Sequence, residues 1–358
     1  MSPSKIKLEK PVHGSINPTE LRSLGLKAED VLDFSANVNP LGVSPRVREA
    51  IANGDFRHYP DPDCLELREA LAKSIGVDVN NIMIGNGSTE LIHLLARAFS
   101  DKTDSAVILA PTFGEYEMAC RLSGAEPDII RARPENGFQW DIQDVCRRIE
   151  RIKPRLVFFC NPNNPTGIYL EKDVAIYLAE ATNPGILVID EAYLPFIDDR
   201  WNSISLLERG NVVLLRSMTK DHALTGLRLG YTITSPDINN LLRTYQPCWS
   251  VNTLAQAAGV AALSNEEHVS EAKQLIDEAR SYLHTSLTEL DLRVLPSGVN
   301  FILVEVGDAQ RFRSQFLQRS LCVRDCTSFG LPEYIRITVR TMPDSQKLVD
   351  GFRDLYSH

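Results

Sequence analysis

Residues 156–167 read LVFFCNPNNPTG, five consecutive apolar residues followed at once by a polar segment rich in asparagine and proline. An apolar run of this length without alternation is typical of a strand buried on both faces of a sheet. Residues 186–193, ILVIDEAY, repeat the arrangement, because four apolar residues lead directly into Asp190 and Glu191. Both segments therefore predict a buried strand that ends in a loop with chemically useful side chains.

Similar runs recur along the first two thirds of the chain and alternate with amphipathic segments. The predicted strands are Ile82–Ile84, Ser105–Leu109, Glu126–Ile130, Leu156–Cys160, Ile186–Ile189 and Val212–Arg216. The predicted helices are Cys64–Ser74, Thr89–Ala98, Gly114–Leu122, Ile142–Ile152 and Lys172–Ala181. This alternation predicts an α/β fold, a three-layer sandwich in which helices cover both faces of a mostly parallel sheet.

The pattern changes after residue 253. A long helical stretch, Asn265–Leu290, is followed by the shorter segments Arg293–Leu295, Phe301–Glu305, Arg311–Arg319 and Tyr334–Thr341. These segments predict a smaller α+β domain. We expect residues 43–245 to form the larger domain, and residues 1–42 and 246–358 to form the smaller one, with the N-terminal arm packed on it.

Composition excludes several classes of protein. The 358 residues are 43% hydrophobic and 24% charged, as in an ordinary globular protein, and the net charge of -9 argues against a nucleic-acid or anionic-membrane surface. No apolar run is long enough to span a bilayer, and residues 1–10 contain no apolar run of the signal-peptide kind. We therefore expect a cytoplasmic protein with no membrane or nucleic-acid partner.

The cysteines predict no metal site and no disulfide framework. There are seven, at positions 64, 120, 146, 160, 248, 322 and 326, and they include no CxxC pair. Most have apolar neighbours, which favours buried free thiols over a metal or redox role.

The chemistry is concentrated in the segments that follow the predicted strands. They are GNGSTE (85–90), PTFGEY (111–116), NPNNPTG (161–167), DEAY (190–193) and SMTK (217–220), with Arg228 eight residues after Lys220. Each alone is compatible with a turn, a helix cap or a surface lysine. In open α/β sheets, however, the carboxyl ends of the strands meet at one ligand-binding edge.

Together these segments supply complementary groups for one ligand. A lysine can form a Schiff base, a carboxylate can hold a pyridinium proton, and amide and hydroxyl groups can donate to a phenolate oxygen. An aromatic side chain and a glycine-rich helix start complete the set, the latter as a phosphate cradle. The combination predicts a site for pyridoxal 5'-phosphate.

The strings NPNNPTG, IDEAY and SMTKDHALTGLRLGY resemble those of fold-type I, aspartate-aminotransferase-like enzymes, and the resemblance covers nearly the whole chain. It implies that residues 43–245 bind the cofactor and that the protein is a homodimer with shared active sites. It also implies catalytic roles for Lys220 as the Schiff-base lysine and proton carrier, for Asp190 as the partner of the pyridine nitrogen, and for Tyr193.

The same resemblance implies the remaining cofactor contacts. Asn164 and Tyr193 match donors to the ring oxygen, and Phe113 matches the aromatic residue that stacks on the ring, with Tyr116 as second choice. Tyr59 matches a tyrosine that reaches the neighbouring subunit's cofactor phosphate. The residues that match the phosphate cradle are Gly87, Ser88, Thr89, Ser217 and Arg228.

The substrate is expected to be a small phosphorylated amino acid. Arg336 matches the arginine that grips a substrate carboxylate, and the residues to which the resemblance assigns substrate contacts are His13, Asn37, Asn164, Arg336 and Arg340. Which of Arg336, Arg340 and His13 meets the carboxylate and which the phosphate stays open.

Within the family, several stretches are most similar to threonine-phosphate decarboxylases, lyases that make aminopropanol phosphate for cobalamin biosynthesis. They are His13-Gly14, DFSANVNPLG (33–42), WSVN (249–252) and Arg340 in VRT. Ser15 and the pair Asp221-His222 depart from the pattern of those enzymes. The alternative is a histidinol-phosphate-type aminotransferase. A non-catalytic regulatory module is a further alternative, but the chain has no basic helix-turn-helix segment.

Overall fold

A computed structural model describes Leu8 and residues 10–356 of the chain. Most of the N-terminal stretch that lacks signal-peptide features, residues 1–7 and 9, lies outside the described residues. In chain order the strands are β1 (Leu32–Phe34), β2 (Ile82–Asn86), β3 (Ser105–Ala110), β4 (Glu126–Arg131), β5 (Leu156–Cys160), β6 (Ile186–Asp190), β7 (Val212–Ser217), β8 (Leu229–Ile233), β9 (Phe301–Glu305), β10 (Leu321–Asp325) and β11 (Tyr334–Thr338).

The helices alternate with these strands over most of the chain. In chain order they are α1 (Pro18–Ser23), α2 (Pro45–Ala52), α3 (Leu65–Ile75), α4 (Gly87–Phe99), α5 (Glu115–Ser123), α6 (Ile142–Ile152), α7 (Lys172–Thr182), α8 (Pro236–Tyr245), α9 (Thr253–Leu263), α10 (Glu266–Thr288), α11 (Ala309–Leu317) and α12 (Met342–Tyr356). Local sequence explains several starts: Ser44 and Ser235 each cap a helix whose first residue is proline.

The larger sheet has seven strands in the order β2-β8-β7-β6-β5-β3-β4. Strands β7, β6, β5, β3 and β4 run parallel, whereas β8 is antiparallel to both of its neighbours. Helices cover both faces, so the predicted three-layer α/β sandwich with a mostly parallel sheet is confirmed.

The continuous apolar runs follow from this two-sided burial. In β6, Leu187 and Ile189 belong to the apolar cluster beneath α3, α6, α7 and α9. Ile186 and Val188 belong to the cluster beneath α4, α5 and α8. Successive side chains of a strand point to opposite faces, so a strand covered on both faces needs apolar residues at every position.

Strand β8 is absent from the sequence-based predictions. It follows β7 after residues 218–228, which contain no helix or strand. A parallel return would need a crossover connection of a dozen or more residues, usually a helix, whereas this shorter loop turns the chain back beside β7 in the opposite direction.

The smaller sheet has the order β1-β10-β11-β9, with β1 parallel to β10 and the other two pairs antiparallel. Strand β1 brings the N-terminal segment into this sheet. The predicted helix Asn265–Leu290 is observed as Glu266–Thr288. The predicted segment Arg293–Leu295 does not form a strand, and its backbone pairing with the sheet is one isolated β-bridge, between Val294 and Val304. The boundaries at residues 42/43 and 245/246 stay a prediction.

Other features concern membranes, metals and thiols. Within the described residues no helix is long and apolar enough to cross a bilayer. The same part of the chain contains no cluster of three or more histidine, cysteine or acidic side chains arranged for a metal ion. All seven cysteines are free; five are buried, Cys146 is partly buried and Cys248 is exposed.

A pair of matched substitutions tests the burial of the central strands. Leu214 in β7 is 0% exposed, whereas Leu122 at the end of α5 is 62% exposed. We expect Leu214→Ala to lower the free energy of unfolding by about 3–5 kcal/mol through lost burial and a residual cavity. Leu122→Ala should change it by less than about 0.5 kcal/mol. Urea unfolding followed by circular dichroism measures both, and equal effects would contradict the core assignment.

Candidate active site

A cavity of about 1110 Å³ lies at the carboxyl edge of the larger sheet, where β10, β11 and the N-terminal arm also contribute to its wall. The loops after β3, β5, β6 and β7 all reach it, as does the start of α4, which follows β2 directly. The predicted site residues that line it are His13, Asn37, Ser88, Thr89, Phe113, Asn164, Asp190, Tyr193, Lys220, Arg228 and Arg336.

Asp190, the last residue of β6, is a buried carboxylate held by two donors. Its Oδ2 accepts a hydrogen bond from the Tyr116 hydroxyl at 2.7 Å, and its Oδ1 accepts one from the Ala192 backbone N–H at 2.9 Å. Burial raises the pKa of Asp190 above its ordinary value. No ion pair is found for Asp190 in the described part of the chain, so a cationic group in the cavity would be its natural partner.

The two aromatic candidates have different surroundings. Tyr116 is completely buried, and its ring stacks on Phe158 at 4.9 Å while its hydroxyl supports Asp190. Phe113 is only partly buried and lies 5.4 Å from the His13 ring at the cavity wall. The geometry therefore makes Tyr116 a support of Asp190 and leaves Phe113 as the aromatic wall.

Lys220 lies in the loop after β7. Burial lowers its pKa to about 8, and the positive charges of Arg336 and Arg228 act in the same direction, while Asp190 and Asp221 oppose them. A substantial fraction of the amine is therefore neutral near pH 8, which makes it a nucleophile for a carbonyl group.

Two buried arginines lie side by side on the smaller sheet. Arg324 and Arg336 are opposite each other in the β10–β11 register and are 6% and 4% exposed. Arg336 donates to Asn164 Oδ1 and to the Ser35 carbonyl, and Arg324 donates to the Val12 carbonyl and the Ser328 hydroxyl.

Neither guanidinium has an acidic partner. No ion pair is found for either within the described residues, and the Nε of each is buried without a hydrogen-bond partner. Burial, with the charge of Arg336 acting in the same direction, lowers the pKa of Arg324 to about 10. Two neighbouring buried cations without counter-ions indicate a place for an anionic ligand.

The start of α4 forms a second place for an anion. Gly87 has φ +76, and a Cβ at this position would lie 2.6 Å from the Arg228 guanidinium. Ser88 and Thr89 line the cavity beside it. Ser217 does not line the cavity itself, but its hydroxyl hydrogen-bonds the hydroxyl of Thr219, which does. A helix N-terminus with an arginine beside it suits a phosphate group.

His13 comes to the cavity from the N-terminal arm. Its Nε2 lies 2.8 Å from Glu115 Oε1, and Nε2 of His93 lies 2.9 Å from Glu115 Oε2. Hydrogen bonds from the two histidines lower the pKa of Glu115 to about 2, and the bond from His13 has the larger effect. A Cβ on Gly114 would lie 3.3 Å from Pro11, so the arm packs closely against this loop.

Besides Gly87 and Ser217, two further predicted residues lie outside the cavity lining. Tyr59 is 77% exposed and stacks on Trp249 at 4.4 Å. The Arg340 Nε donates to Asp344 at 3.0 Å and its Nη1 donates to the Asp33 carbonyl at 3.2 Å. The geometry thus gives Arg340 protein partners in place of a substrate anion, and its predicted substrate role gains no support.

Sequence reasoning missed Arg324. It is the charged residue in Leu321-Cys322-Val323-Arg324, an otherwise apolar run that the structure shows to be most of β10. A buried arginine needs a partner, so an arginine inside an apolar run indicates a charged or polar group beside it. This pattern could have identified Arg324 as a site residue.

Comparisons with known proteins place this geometry in a wider context. A model of the family described as "Aminotransferase class I and II" matches residues 29–352. The "Histidinol-phosphate aminotransferase" of Moorella thermoacetica is 35% identical over 342 residues, which are 93% of this chain and 87% of that protein. The "Putative threonine-phosphate decarboxylase" of Caldanaerobacter subterraneus subsp. tengcongensis is 33% identical over 331 residues, 90% of this chain and 89% of the relative.

A solved structure shows the same fold. The histidinol-phosphate aminotransferase of Sinorhizobium meliloti, in complex with pyridoxal-5'-phosphate, superimposes with a TM-score of 0.86 at 24% identity, covering 95% of this chain and 96% of that one. Of eight relatives that are 32–36% identical to this chain, seven are named histidinol-phosphate aminotransferase and one is named putative threonine-phosphate decarboxylase.

The lowered pKa of Lys220 can be measured directly. With protein freed of cofactor, borohydride trapping of added pyridoxal phosphate should label Lys220 with a pH midpoint near 8. An ordinary lysine would give a midpoint of about 10.4. Arg336→Gln should raise the midpoint, because it removes a neighbouring positive charge. Peptide mapping identifies the labelled residue, Lys220→Arg is the control, and a midpoint near 10 in the unaltered protein would contradict the described environment.

Proposed function

This chain belongs to the aminotransferase class I and II family, whose members are pyridoxal-phosphate-dependent enzymes, and from that premise we propose that it transfers the amino group of a small phosphorylated amine of the histidinol-phosphate type. The observation that carries the proposal is the pair of buried arginines, Arg324 and Arg336, in the cavity that also contains Lys220. A phosphate monoester carries up to two negative charges and several acceptor oxygens, which matches two guanidinium groups without acidic partners.

The residues of the cavity fit pyridoxal phosphate. Arg228 and the start of α4 form a cradle that a Cβ at Gly87 would fill, and the described part of the chain provides no ion-pair partner for the buried Asp190 carboxylate. The bound cofactor supplies a carbonyl that condenses with amines and a ring that withdraws electrons from bonds to the amine-bearing carbon. In the proposed arrangement, Gly87, Ser88, Thr89, Ser217 and Arg228 hold the cofactor phosphate.

The other groups have complementary proposed roles. Asp190 holds the proton on the pyridine nitrogen, because a negative carboxylate stabilises the positive ring. Asn164 and Tyr193 contact the ring oxygen, and Phe113 packs on the ring face. The Lys220 amine, with its lowered pKa, accepts and returns the proton of the substrate carbon.

A second candidate reaction is the decarboxylation of threonine phosphate. It is favoured by the stretches that resemble threonine-phosphate decarboxylases and by His13, which the Glu115 carboxylate holds at the cavity wall. The sequence alone favoured decarboxylation and gave amino transfer as the alternative. The names of the relatives favour amino transfer.

Direct assays separate the two reactions. With pyridoxal phosphate and a 2-oxo acid acceptor, we expect the protein to transfer the amino group of histidinol phosphate and to release little carbon dioxide from threonine phosphate. Chromatography of amino-acid products and trapping of labelled carbon dioxide measure the two yields. Carbon dioxide release from threonine phosphate without amino transfer from histidinol phosphate would assign the decarboxylase instead.

Arg324 tests the proposed phosphate site. Hydrogen bonds to charged groups contribute about 1.5–3 kcal/mol each, so Arg324→Gln should raise KM for the phosphorylated substrate about ten- to hundredfold. The value of kcat should change much less, and turnover of the dephosphorylated amine should be nearly unchanged. Arg209→Gln, on an exposed arginine paired with Glu180, is the control. An unaltered KM would remove Arg324 from the substrate site.

Asp190 tests the proposed cofactor contact. Asp190→Asn keeps the size of the side chain but cannot balance a positive pyridine ring, so kcat should fall by at least about a hundredfold. Cofactor should still bind through Lys220 and the cradle at the start of α4. Steady-state kinetics and cofactor absorbance measure these quantities, and near-normal turnover would leave Asp190 a structural role only.

The homodimer remains part of the proposal. Tyr59 and Trp249 form an exposed stacked pair, which provides apolar area for a second copy of the chain. In that arrangement Tyr59 reaches the cofactor phosphate of the neighbouring subunit, as the resemblance implies. A cytoplasmic location also stays an expectation.

A further inference from the structure

The end of β11 is tied to the N-terminal segment by three side-chain hydrogen bonds. Arg336 donates to the Ser35 carbonyl at 2.7 Å, Thr338 donates to Asn37 Oδ1 at 2.8 Å, and Arg340 donates to the Asp33 carbonyl at 3.2 Å. The intervening residues, Ile337 and Val339, pack into the apolar core of the smaller sheet. We call residues 33–37 the strap.

Asn37, the last residue of the strap, contacts Tyr193 beside the cavity. Asn37 Nδ2 donates to the Tyr193 hydroxyl oxygen at 3.0 Å, and the Tyr193 ring packs edge-on against Phe301 at 4.9 Å. Asn37, Thr338 and Tyr193 are all buried. Burial also raises the pKa of Tyr193 to about 12, so the hydroxyl keeps its proton at neutral pH.

The direction of the Asn37 amide decides where that proton can go. With Nδ2 facing Tyr193, the phenol oxygen accepts and its own hydrogen is left for an acceptor in the cavity. If the amide were reversed, its Oδ1 would face Tyr193 and take the hydrogen. In the described structure the Thr338 hydroxyl donates to Oδ1, and this hydrogen bond favours the orientation in which Nδ2 faces Tyr193.

The strap is also held from the side of the N-terminal arm. A Cβ at Gly14 would lie 2.1 Å from the Ser35 carbonyl oxygen and 2.8 Å from the Arg336 guanidinium. The arm therefore packs directly on the hydrogen bond between Arg336 and the strap. This contact limits how far the strap can shift to let Asn37 turn.

We propose that Thr338 is a positioning residue that acts through Asn37 to direct the Tyr193 hydroxyl into the cavity, as a donor to the ring oxygen of pyridoxal phosphate. The proposal rests on the proposed placement of that oxygen beside Tyr193. It assigns Arg340 to the same task, as an anchor of the strap and not as a substrate ligand. It does not depend on which of the two reactions the enzyme performs.

The test compares two substitutions of Thr338, one without the hydroxyl group and one that keeps it. Thr338→Val removes the hydroxyl and keeps the shape, whereas Thr338→Ser keeps the hydroxyl. With protein freed of cofactor, we expect Thr338→Val to raise the dissociation constant of pyridoxal phosphate about tenfold and Thr338→Ser to leave it within about twofold. Equilibrium titration by absorbance and tryptophan fluorescence gives these constants without any substrate.

A double-mutant cycle separates positioning from general structure. If Thr338 acts through Tyr193, the tenfold effect of Thr338→Val should disappear in a Tyr193→Phe background. A loss of the same size in both backgrounds, or no loss in either, would overturn the proposal. Urea unfolding of the cofactor-free variants identifies any effect that comes from instability.

Asn37→Asp supplies an independent variant in case Thr338→Val does not fold. A carboxylate at this position can only accept hydrogen bonds, so the Tyr193 hydroxyl donates its hydrogen to it whichever way the side chain turns. It should weaken cofactor binding as much as Tyr193→Phe does, with no further loss when the two are combined. Additive losses would overturn the proposal.

The outcome for Thr338 can be told apart from that of the proposed function. Because the binding measurements use no substrate, they stay valid if the amino-transfer assay fails. Wild-type protein that binds no pyridoxal phosphate would overturn both the proposed function and the role of Thr338.

Discussion

Five neighbouring strands of the larger sheet run in one direction, and every loop that follows one of them leaves the same edge of the sheet. This constraint brings Phe113, Asn164, Asp190 and Lys220 to a single cavity although they are far apart along the chain. Strand β8 adds Arg228 to the same edge, because it runs antiparallel and its start, not its end, lies there. The direction of the strands is therefore what assembles the site.

Charge within the cavity is opposite to that of the whole chain. The protein has a net charge of -9, yet six lysine and arginine side chains line the cavity, among them Lys220, Arg324 and Arg336, against three acidic ones, Asp33, Glu117 and Asp190. Asp190 is bound by neutral donors and Glu117 pairs with Arg121, so neither neutralises Arg324 or Arg336. Burial lowers the pKa of Lys220, and the neighbouring positive charges act in the same direction. The excess positive charge also leaves two places for anions, one at the start of α4 and one at the arginine pair.

The smaller sheet contributes specificity and order to this site. Its strands β10 and β11 carry the arginine pair, and the N-terminal arm packs against these arginines through Val12 and Gly14. The strap links β11 to Tyr193, so Arg336, which we propose to bind an anionic substrate, and Tyr193, which we propose to bind the cofactor, are both hydrogen-bonded to the same segment. A ligand at Arg336 and a ligand at Tyr193 are thereby held in a defined relation.

The sequence by itself determined the α/β class, the positions of the parallel strands and the cofactor, because continuous apolar runs and the loops after them are local features. It did not reveal Arg324, the support of Asp190 by Tyr116, or the protein partners of Arg340. Those depend on contacts such as that between Arg324 and the Val12 carbonyl, which are 312 positions apart in the chain. Only tertiary packing decides which distant side chains meet, since the same arginine can face a ligand or a neighbouring aspartate according to the strands that flank it.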